Sequence, residues 1–368
     1  MGVDRPPICF DPVRVLVTGG AGFVGSSLCV ALASRHPDWE LISFDNLSRR
    51  GSELNLPRLK AAEVSFEHGD IREVRDLLAL SRIDALIECS AEPSVIAGLD
   101  GRTDYVVQTN FLGAYNALEL ARRDGAQFIF PSTSRVYPVK ALNEITLVEN
   151  ATRFELAEKQ VMPGVSSAGI SESFPLAGAR TLYGATKLSA ELLVEEYSNS
   201  FGLKTVVNRF GVVAGPWQMG KVDQGVFTHW LLAHYFRRPL QYIGFGGSGK
   251  QVRDLLHVDD LVDLLDDQLA RPEHWAGVKA NAGGGRAVSL SLLEATEICR
   301  ELTGNAVEIR KATEDRPGDV PIYLSDCSLL HQYTDWRPKR DPRTVLGEIL
   351  DWVKNNESAL AAALESGS

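Results

Sequence analysis

Residues Thr18-Gly19-Gly20-Ala21-Gly22-Phe23-Val24-Gly25 join a short β-branched run, residues 14–18, to a helical pattern over residues 26–34. A glycine-rich turn set between a strand and a helix leaves few folds open. The first glycine makes the turn tight, the second lets backbone approach a pyrophosphate, and the third lets helix and strand pack closely. The helix N-terminus then faces the negative charge. Asp45 closes the next strand, residues 41–45, where its carboxylate would accept hydrogen bonds from the ribose hydroxyls of a dinucleotide. That carboxylate would repel a 2′-phosphate, which favours NAD over NADP. Arg49 and Arg50 stand nearby and leave a phosphate partner open as a reading. The candidate cofactor residues are Gly19, Gly22, Phe23, Val24, Asp45 and Asn46, with Asp70 and Ile71 after the third strand. Asp70 reads equally as an adenine contact or as the cap of a helix over residues 73–80.

The rest of the first 130 residues alternates at the same interval. Strands are predicted at 64–68, 85–89 and 127–130, with a helix at 103–123. Such alternation predicts an α/β fold, a Rossmann-type doubly wound parallel sheet with right-handed crossovers. Residues 138–180 break the rhythm and read as a long excursion over an active site. A helix over 181–200 and a strand over 204–209 restore it. Further on, the pattern predicts a strand at 252–257, a helix from 259, a glycine loop at 281–285 and a helix at 290–303. The expected organisation is an NAD-binding domain over 13–210, to which 252–280 returns. A smaller interleaved α+β substrate domain is expected from 211–251 and 281–354, and a loose tail over 355–368.

Composition narrows the functional classes. The chain of 368 residues is 44% hydrophobic and 23% charged, which excludes a disordered or fibrous chain. Its net charge of −10 argues against coating nucleic acid or anionic lipid. Five scattered cysteines (Cys9, Cys29, Cys89, Cys299 and Cys327) form no C-x-x-C pair, which argues against a zinc site or disulfide framework. The expectation is no metal, no membrane partner and a cytoplasmic setting.

Tyr183 and Lys187 stand four residues apart on the predicted helix, on one face. A free tyrosine titrates near ~10, so bringing it close to neutral takes roughly 4 kcal/mol of local electrostatics. Ser132-Thr133-Ser134 follows the fifth strand, where its hydroxyls could share a substrate hydroxyl with Tyr183.

With these motifs the chain resembles the extended short-chain dehydrogenase/reductase family, in its nucleotide-sugar epimerase/dehydratase branch. The resemblance runs from about Val13 to Lys354 and includes Gln251-Val252-Arg253-Asp254-Leu255-Leu256-His257 and Arg316-Pro317-Gly318-Asp319. It is nearest to the CDP-paratose 2-epimerase (CDP-tyvelose epimerase) group, through Leu203-Lys204-Thr205-Val206-Val207, Asp223-Gln224-Gly225 and Asn281-Ala282-Gly283-Gly284. The resemblance implies hydride removal from a sugar carbinol by NAD, a ketone held in the site, and hydride return to the other face. It implies Tyr183 as base, Lys187 as its activator and ribose anchor, and Thr133 as hydroxyl partner. It further implies Arg253 and Arg316 on a diphosphate, with Ser134 and Gln224 near the substrate. The two arginines also read as surface ion pairs. A nucleotide-diphosphate sugar (CDP, UDP or GDP) is the implied partner and a homodimer through the helices of Val106, Leu112, Leu188 and Leu192 the implied assembly.

Departures from the family pattern matter as well. The 4,6-dehydratases carry Asp-Glu after the catalytic threonine, whereas Ser134-Arg135 stands here. Cys89-Ser90-Ala91-Glu92-Pro93 replaces the family's His-Leu-Ala-Ala, and Glu92 reads as a further substrate ligand or supporting carboxylate. Trp217 and Phe245 read as flanking a base-binding region. The leading expectation is epimerisation at C2 of a CDP-linked sugar. The alternatives are a UDP-hexose 4-epimerase, a nucleotide-sugar dehydrogenase or reductase, and a non-catalytic NAD-binding sensor or scaffold.

Overall fold

The computed structural model describes residues 12–99, 101–219, 224–312, 314 and 316–360. Cys9 and Asp223 lie outside them. Seven parallel strands form the central sheet: β1 (Arg14–Thr18), β2 (Glu40–Asp45), β3 (Ser65–His68), β4 (Ala85–Glu88), β5 (Gln127–Thr133), β6 (Thr205–Phe210) and β7 (Val278–Ala282). Their order across the sheet is β7-β6-β5-β4-β1-β2-β3, so the winding reverses between β1 and β4. That reversal opens a crevice at the carboxyl ends, the place where such sheets hold ligands.

Alternation along each strand decides which face it feeds. Val15, Val17, Ile87 and Ile129 join one buried cluster, covered by the helices Phe23–Arg35 and Val258–Ala270. Leu16, Leu86, Phe128 and Phe130 point the other way, under Gly113–Asp124 and Leu182–Phe201. A sheet covered on both faces needs apolar side chains at successive positions, and these strands supply them.

The helix predicted at 103–123 is present but carries a π-helical turn, Gln108–Leu112, between Thr103–Val107 and Gly113–Asp124. The extra residue turns the Asn110 side chain inward. It donates to the Glu92 carbonyl and to Thr186 Oγ1, and accepts from the Glu92 N–H. A π-turn of this kind frequently marks a functional site.

The second lobe has its own sheet, with Val252–His257 between Val212–Ala214 and Ser289–Ser291 and also paired with Ile322–Tyr323. The stretch expected to return to the main sheet is therefore divided. Residues 252–257 belong to the second sheet, and only Val258–Ala270 and β7 return. Asn281 and Ala282, expected in a substrate-domain loop, end β7. Trp230, Phe227, Leu290, Ile349 and Trp352 fill the core of the second lobe.

The excursion over 138–180 is structured. It folds as the helix Val139–Asn143 and two hairpins, Leu147–Glu149 with Phe154–Leu156 and Val165–Ser166 with Gly169–Ile170. Their side chains pack with Tyr137, Val252 and Ile322, so periodicity is missing because each strand is two or three residues long. The tail is less loose than its composition suggests. Leu360 is buried in the second core and its N–H bonds the Asn356 carbonyl, while residues 361–368 lie outside the described residues. Among the described residues no helix is long and apolar enough to cross a membrane.

The glycine turn is tight for a steric reason. A Cβ at Gly25 would stand 2.2 Å from the Gly19 carbonyl oxygen and 2.8 Å from Gly20 Cα, both backbone atoms. Gly25→Ala is expected to lose bound NAD, read by chromatography of the denatured protein. It should also lower stability by about 1–3 kcal/mol in urea titration, as overpacking does.

Candidate active site

Gly19 sits at φ 61°, and a Cβ on it would strike the Cys89 carbonyl at 2.7 Å, so the turn closes against the loop after β4. Gly22 caps the helix Phe23–Arg35 without any side-chain hydrogen bond, which leaves its first N–H groups toward the crevice. Asp45 braces the turn: one carboxylate oxygen accepts from the Ala21 N–H at 3.1 Å and the other from the Leu47 N–H at 2.8 Å. Burial raises this carboxyl above the usual aspartate range, and the backbone donors oppose that shift. Asp70 pairs with Arg72 at 2.6 Å and accepts from Asn46 at 2.9 Å, and these bonds hold it near 2. It does not cap the next helix, whose N-cap is Glu73. Ile71 is buried beneath it. The cradle suits a dinucleotide: backbone donors at an uncapped helix start, no side chain in the turn, and a carboxylate at the ribose position.

Beside the cradle lies a cavity of 690 Å³, lined by Phe23, Val24, Thr133, Ser134, Arg135, Tyr183, Lys187, Gln224, Arg253 and Arg316 among others. That volume falls within the roughly 300–1,000 Å³ of small-molecule sites. The helix Leu182–Phe201 starts at Thr181, whose hydroxyl accepts from the Gly184 N–H at 3.3 Å. This cap places Tyr183 in the first turn and Lys187 in the next, both facing the cavity. Burial pushes the Tyr183 phenol above its usual range, while the hydrogen-bonding Thr133 hydroxyl and the Arg135 charge pull it back. Lys187 is 2% exposed and is pulled below the usual lysine range by burial. Its Nζ stands 3.7 Å from the Glu88 carboxylate and 3.9 Å from the centroid of the Phe130 ring.

The sequence profile of the NAD dependent epimerase/dehydratase family matches residues 15–283. The chain belongs to this family. It is 30% identical over 356 residues to CDP-paratose 2-epimerase of Salmonella typhi, covering 93% of this chain and all of that one. It is 29% identical over 351 residues to dTDP-glucose 4,6-dehydratase of Mycobacterium tuberculosis, covering 94% and 95%. Among solved structures, UDP-glucose 4-epimerase of Thermus thermophilus in complex with NAD matches at a TM-score of 0.73 and 25% identity, covering 93% and 99%. The protein is an NAD-dependent enzyme of the epimerase/dehydratase class, and NAD is its cofactor.

Within this family site, the structure sorts the expected residues. Tyr183, Lys187, Thr133, Ser134, Gln224, Arg253 and Arg316 share one cavity. Ser132 is turned to another task, donating to Glu191 at 2.5 Å. Arg253 pairs with Asp319 at 2.6 Å on the cavity wall, so its ion pair and its place in the site coexist. Arg49 bonds the Gln224 side chain, a partner other than phosphate. Trp217 lies off the cavity wall, stacked under Arg58 at 4.1 Å and against Trp352. Phe245 also lies off the wall, edge-on to Phe154. Glu92 serves the Asn110 bonds and accepts from the Ser94 N–H.

Two features went unread in the sequence. Glu88 is the last residue of an otherwise apolar buried strand, and burial pushes it up to about 7 despite the lysine beside it. A carboxylate at the end of such a strand was the available signal. The second is the pair of Glu191 and Arg209, each 1% exposed and 2.7 Å apart. His257, Asp259 and Glu348 also converge, but Arg340 bonds Asp259 and Glu348, so a guanidinium takes the place of a metal ion.

Glu191→Gln would leave Arg209 buried without its counter-charge. Loss of one partner of a buried pair costs about 3–5 kcal/mol. Urea unfolding is expected to shift by that amount, with the secondary structure of the native state retained.

Proposed function

We propose that the protein is a nucleotide-sugar epimerase that inverts a sugar hydroxyl, acting at C2 of a CDP-linked sugar. One observation carries epimerisation over dehydration. Among the described residues lining the cavity the carboxylates are Glu88 and Asp319, and each is held in an ion pair, with Lys187 and Arg253. β-Elimination needs an acid and a base besides the tyrosine, and no uncommitted carboxylate lines this wall. The choice of C2 and of a CDP-sugar is supported by the relative from Salmonella typhi, which matches over its whole length.

NAD, when bound, supplies the redox step. Tyr183 takes the hydroxyl proton on its phenolate oxygen as the carbinol is oxidised and returns it after the ketone has been presented by its other face. Thr133 holds the same hydroxyl. Lys187, one turn below, anchors the cofactor ribose. Arg253 and Arg316 hold the diphosphate, a task suited to guanidinium groups, while Ser134 and Gln224 line the sugar's surroundings. A 4-epimerase acting on a UDP-hexose is the second reading, supported by the fold shared with the Thermus enzyme. It uses identical groups and differs only in how the sugar is placed. A homodimer belongs to the proposal, through helices that expose Leu112 and Leu192 with Tyr115, while Val106 is buried and Leu188 packs against the core of the excursion; a cytoplasmic setting belongs to it too, in keeping with free Cys29, Cys89, Cys299 and Cys327.

Proton NMR of CDP-, UDP- and GDP-sugars incubated with the purified protein and no added cofactor tests the reading. Inversion at one carbon supports it and names the carbon; loss of water or release of an oxidised sugar overturns it. Tyr183→Phe is expected to lower turnover at least a thousandfold with NAD still bound, and full activity would remove Tyr183 as the base. Lys187→Ala should weaken NAD retention as well as turnover.

A further inference from the structure

The family resemblance puts Arg253 and Arg316 on a diphosphate, and the fold brings a third guanidinium to the same stretch of cavity wall. Arg135 lies in the short turn Ser134–Val136 that follows β5, two residues after Thr133. Its guanidinium donates to the Gly318 carbonyl at 2.8 Å. Gly318 belongs to the segment Arg316-Pro317-Gly318-Asp319, and Asp319 pairs with Arg253 at 2.6 Å. The Arg135 side chain thus ends among the residues proposed to hold the diphosphate.

The other end of Arg135 is fixed at the reacting groups. Its N–H donates to Thr133 Oγ1 at 3.1 Å. A Cβ on Gly184 would meet the Arg135 carbonyl oxygen at 2.1 Å, so this backbone packs on the first turn of the tyrosine helix. The segment 316–319 touches the same helix start, since a Cβ on Gly318 would stand 2.5 Å from Thr181 Cγ2. Arg135 therefore runs from the end of the cavity that holds Thr133 to the end that holds the other two arginines. In a nucleotide-diphosphate sugar, the phosphate that bears the sugar lies between the reacting hydroxyl and the nucleoside, and this is the interval that Arg135 covers.

The charges on this stretch of wall call for an anion. Among the described lining residues, Arg135, Arg253 and Arg316 meet there with one carboxylate, that of Asp319, while Glu88 is paired with Lys187. Like charges held together repel until an anion answers them. Burial, with Arg253 and Arg316 nearby, lowers the Arg135 guanidinium to about 10, which leaves it charged at neutral pH. A guanidinium is a rigid fork of donors that matches phosphate oxygens, and the bond to Gly318 leaves further donors of that fork for a ligand. We propose that Arg135 is a third arm on the diphosphate and grips the phosphate that bears the sugar, fixing it in register with Tyr183. The inference rests on the proposed reading of the substrate as a nucleotide-diphosphate sugar and adds the residue that places its sugar end.

Nucleotide binding tests this without turnover. Isothermal titration of the NAD-loaded protein with CDP and with CMP compares two ligands that differ by the phosphate in question, and UDP with UMP repeats the comparison. Arg135→Gln is expected to weaken CDP roughly tenfold or more, through loss of a charge-assisted pair, and to leave CMP within about twofold of the parent. Arg135→Lys keeps the charge but loses the fork, and its CDP affinity should fall between the two. A general disturbance of the fold would weaken CMP and CDP alike. An equal loss for both ligands, or CDP binding unmoved by Arg135→Gln, overturns the proposal. If Arg135→Gln is not recovered folded, Arg135→Lys decides: a loss confined to CDP supports the grip, and a CDP affinity equal to the parent's overturns it. Failure of the unaltered protein to bind any of CDP, UDP and GDP overturns the substrate reading and this proposal with it, whereas indifference of CDP to Arg135 overturns this proposal alone.

Discussion

Glu191 and Arg209 face each other at 2.7 Å in the interior, and much of the molecule is arranged around them. Glu191 lies one turn beyond Lys187 on the tyrosine helix, and Arg209 lies on β6. The same carboxylate takes the Ser132 hydroxyl of β5, and the same guanidinium donates to the Tyr137 hydroxyl at 3.2 Å. Tyr137 in turn donates to Asn281 on β7, whose side-chain amide holds the Ile170 carbonyl of the excursion. Ion pairs removed from water survive only when their remaining donors and acceptors are met, and here three strands, a helix and a hairpin meet them. The position of Tyr183 over the end of the sheet is thus set by a polar network as well as by apolar packing.

The network also fixes the elements that surround the cavity. Arg135 is held by Thr133 and Gly318, and its own carbonyl and Gly318 pack against the start of the tyrosine helix. Asn110, turned inward by the π-helical turn, fixes the Glu92 loop on the opposite side. The reacting groups are held from three directions before any ligand arrives, which limits the reorganisation left for the reaction.

The parts of this arrangement that sequence reading reached are those governed by local rules. The Thr18-to-Gly25 turn, Asp45 and the Tyr183/Lys187 spacing each have a short-range reason to exist, so their residue types reveal them. The parallel doubly wound sheet followed from the alternation of strands and helices, whereas the order of its strands did not. What stayed hidden depends on contacts across long separations. Glu88 looked like an ordinary strand end until Lys187 was brought to it from about a hundred residues away. Ser132 looked like a substrate hydroxyl, and its actual partner lies on the helix behind it. The two hairpins of the excursion escaped because strands of two or three residues carry no measurable period. Residues 252–257 were assigned to the wrong sheet because an apolar strand pattern states that a strand is buried, not which sheet buries it.

The charge of the whole chain and the charge of its cavity point in opposite directions, and the contrast has a physical use. A protein of net charge −10 has no overall attraction for anions. Yet Arg135, Lys187, Arg253, Arg310 and Arg316 line one cavity with only two carboxylates among the described residues, Glu88 paired with Lys187 and Asp319 paired with Arg253, so cations outnumber anions on its wall. Beyond the Debye length, about 8 Å at physiological ionic strength, the distant acidic surface is screened, whereas the low-dielectric walls of a cleft concentrate the local field. A nucleoside diphosphate therefore meets its attraction only on reaching the mouth of the cleft. The excess of cations on the cavity wall suits the diphosphate of the proposed nucleotide-sugar substrate.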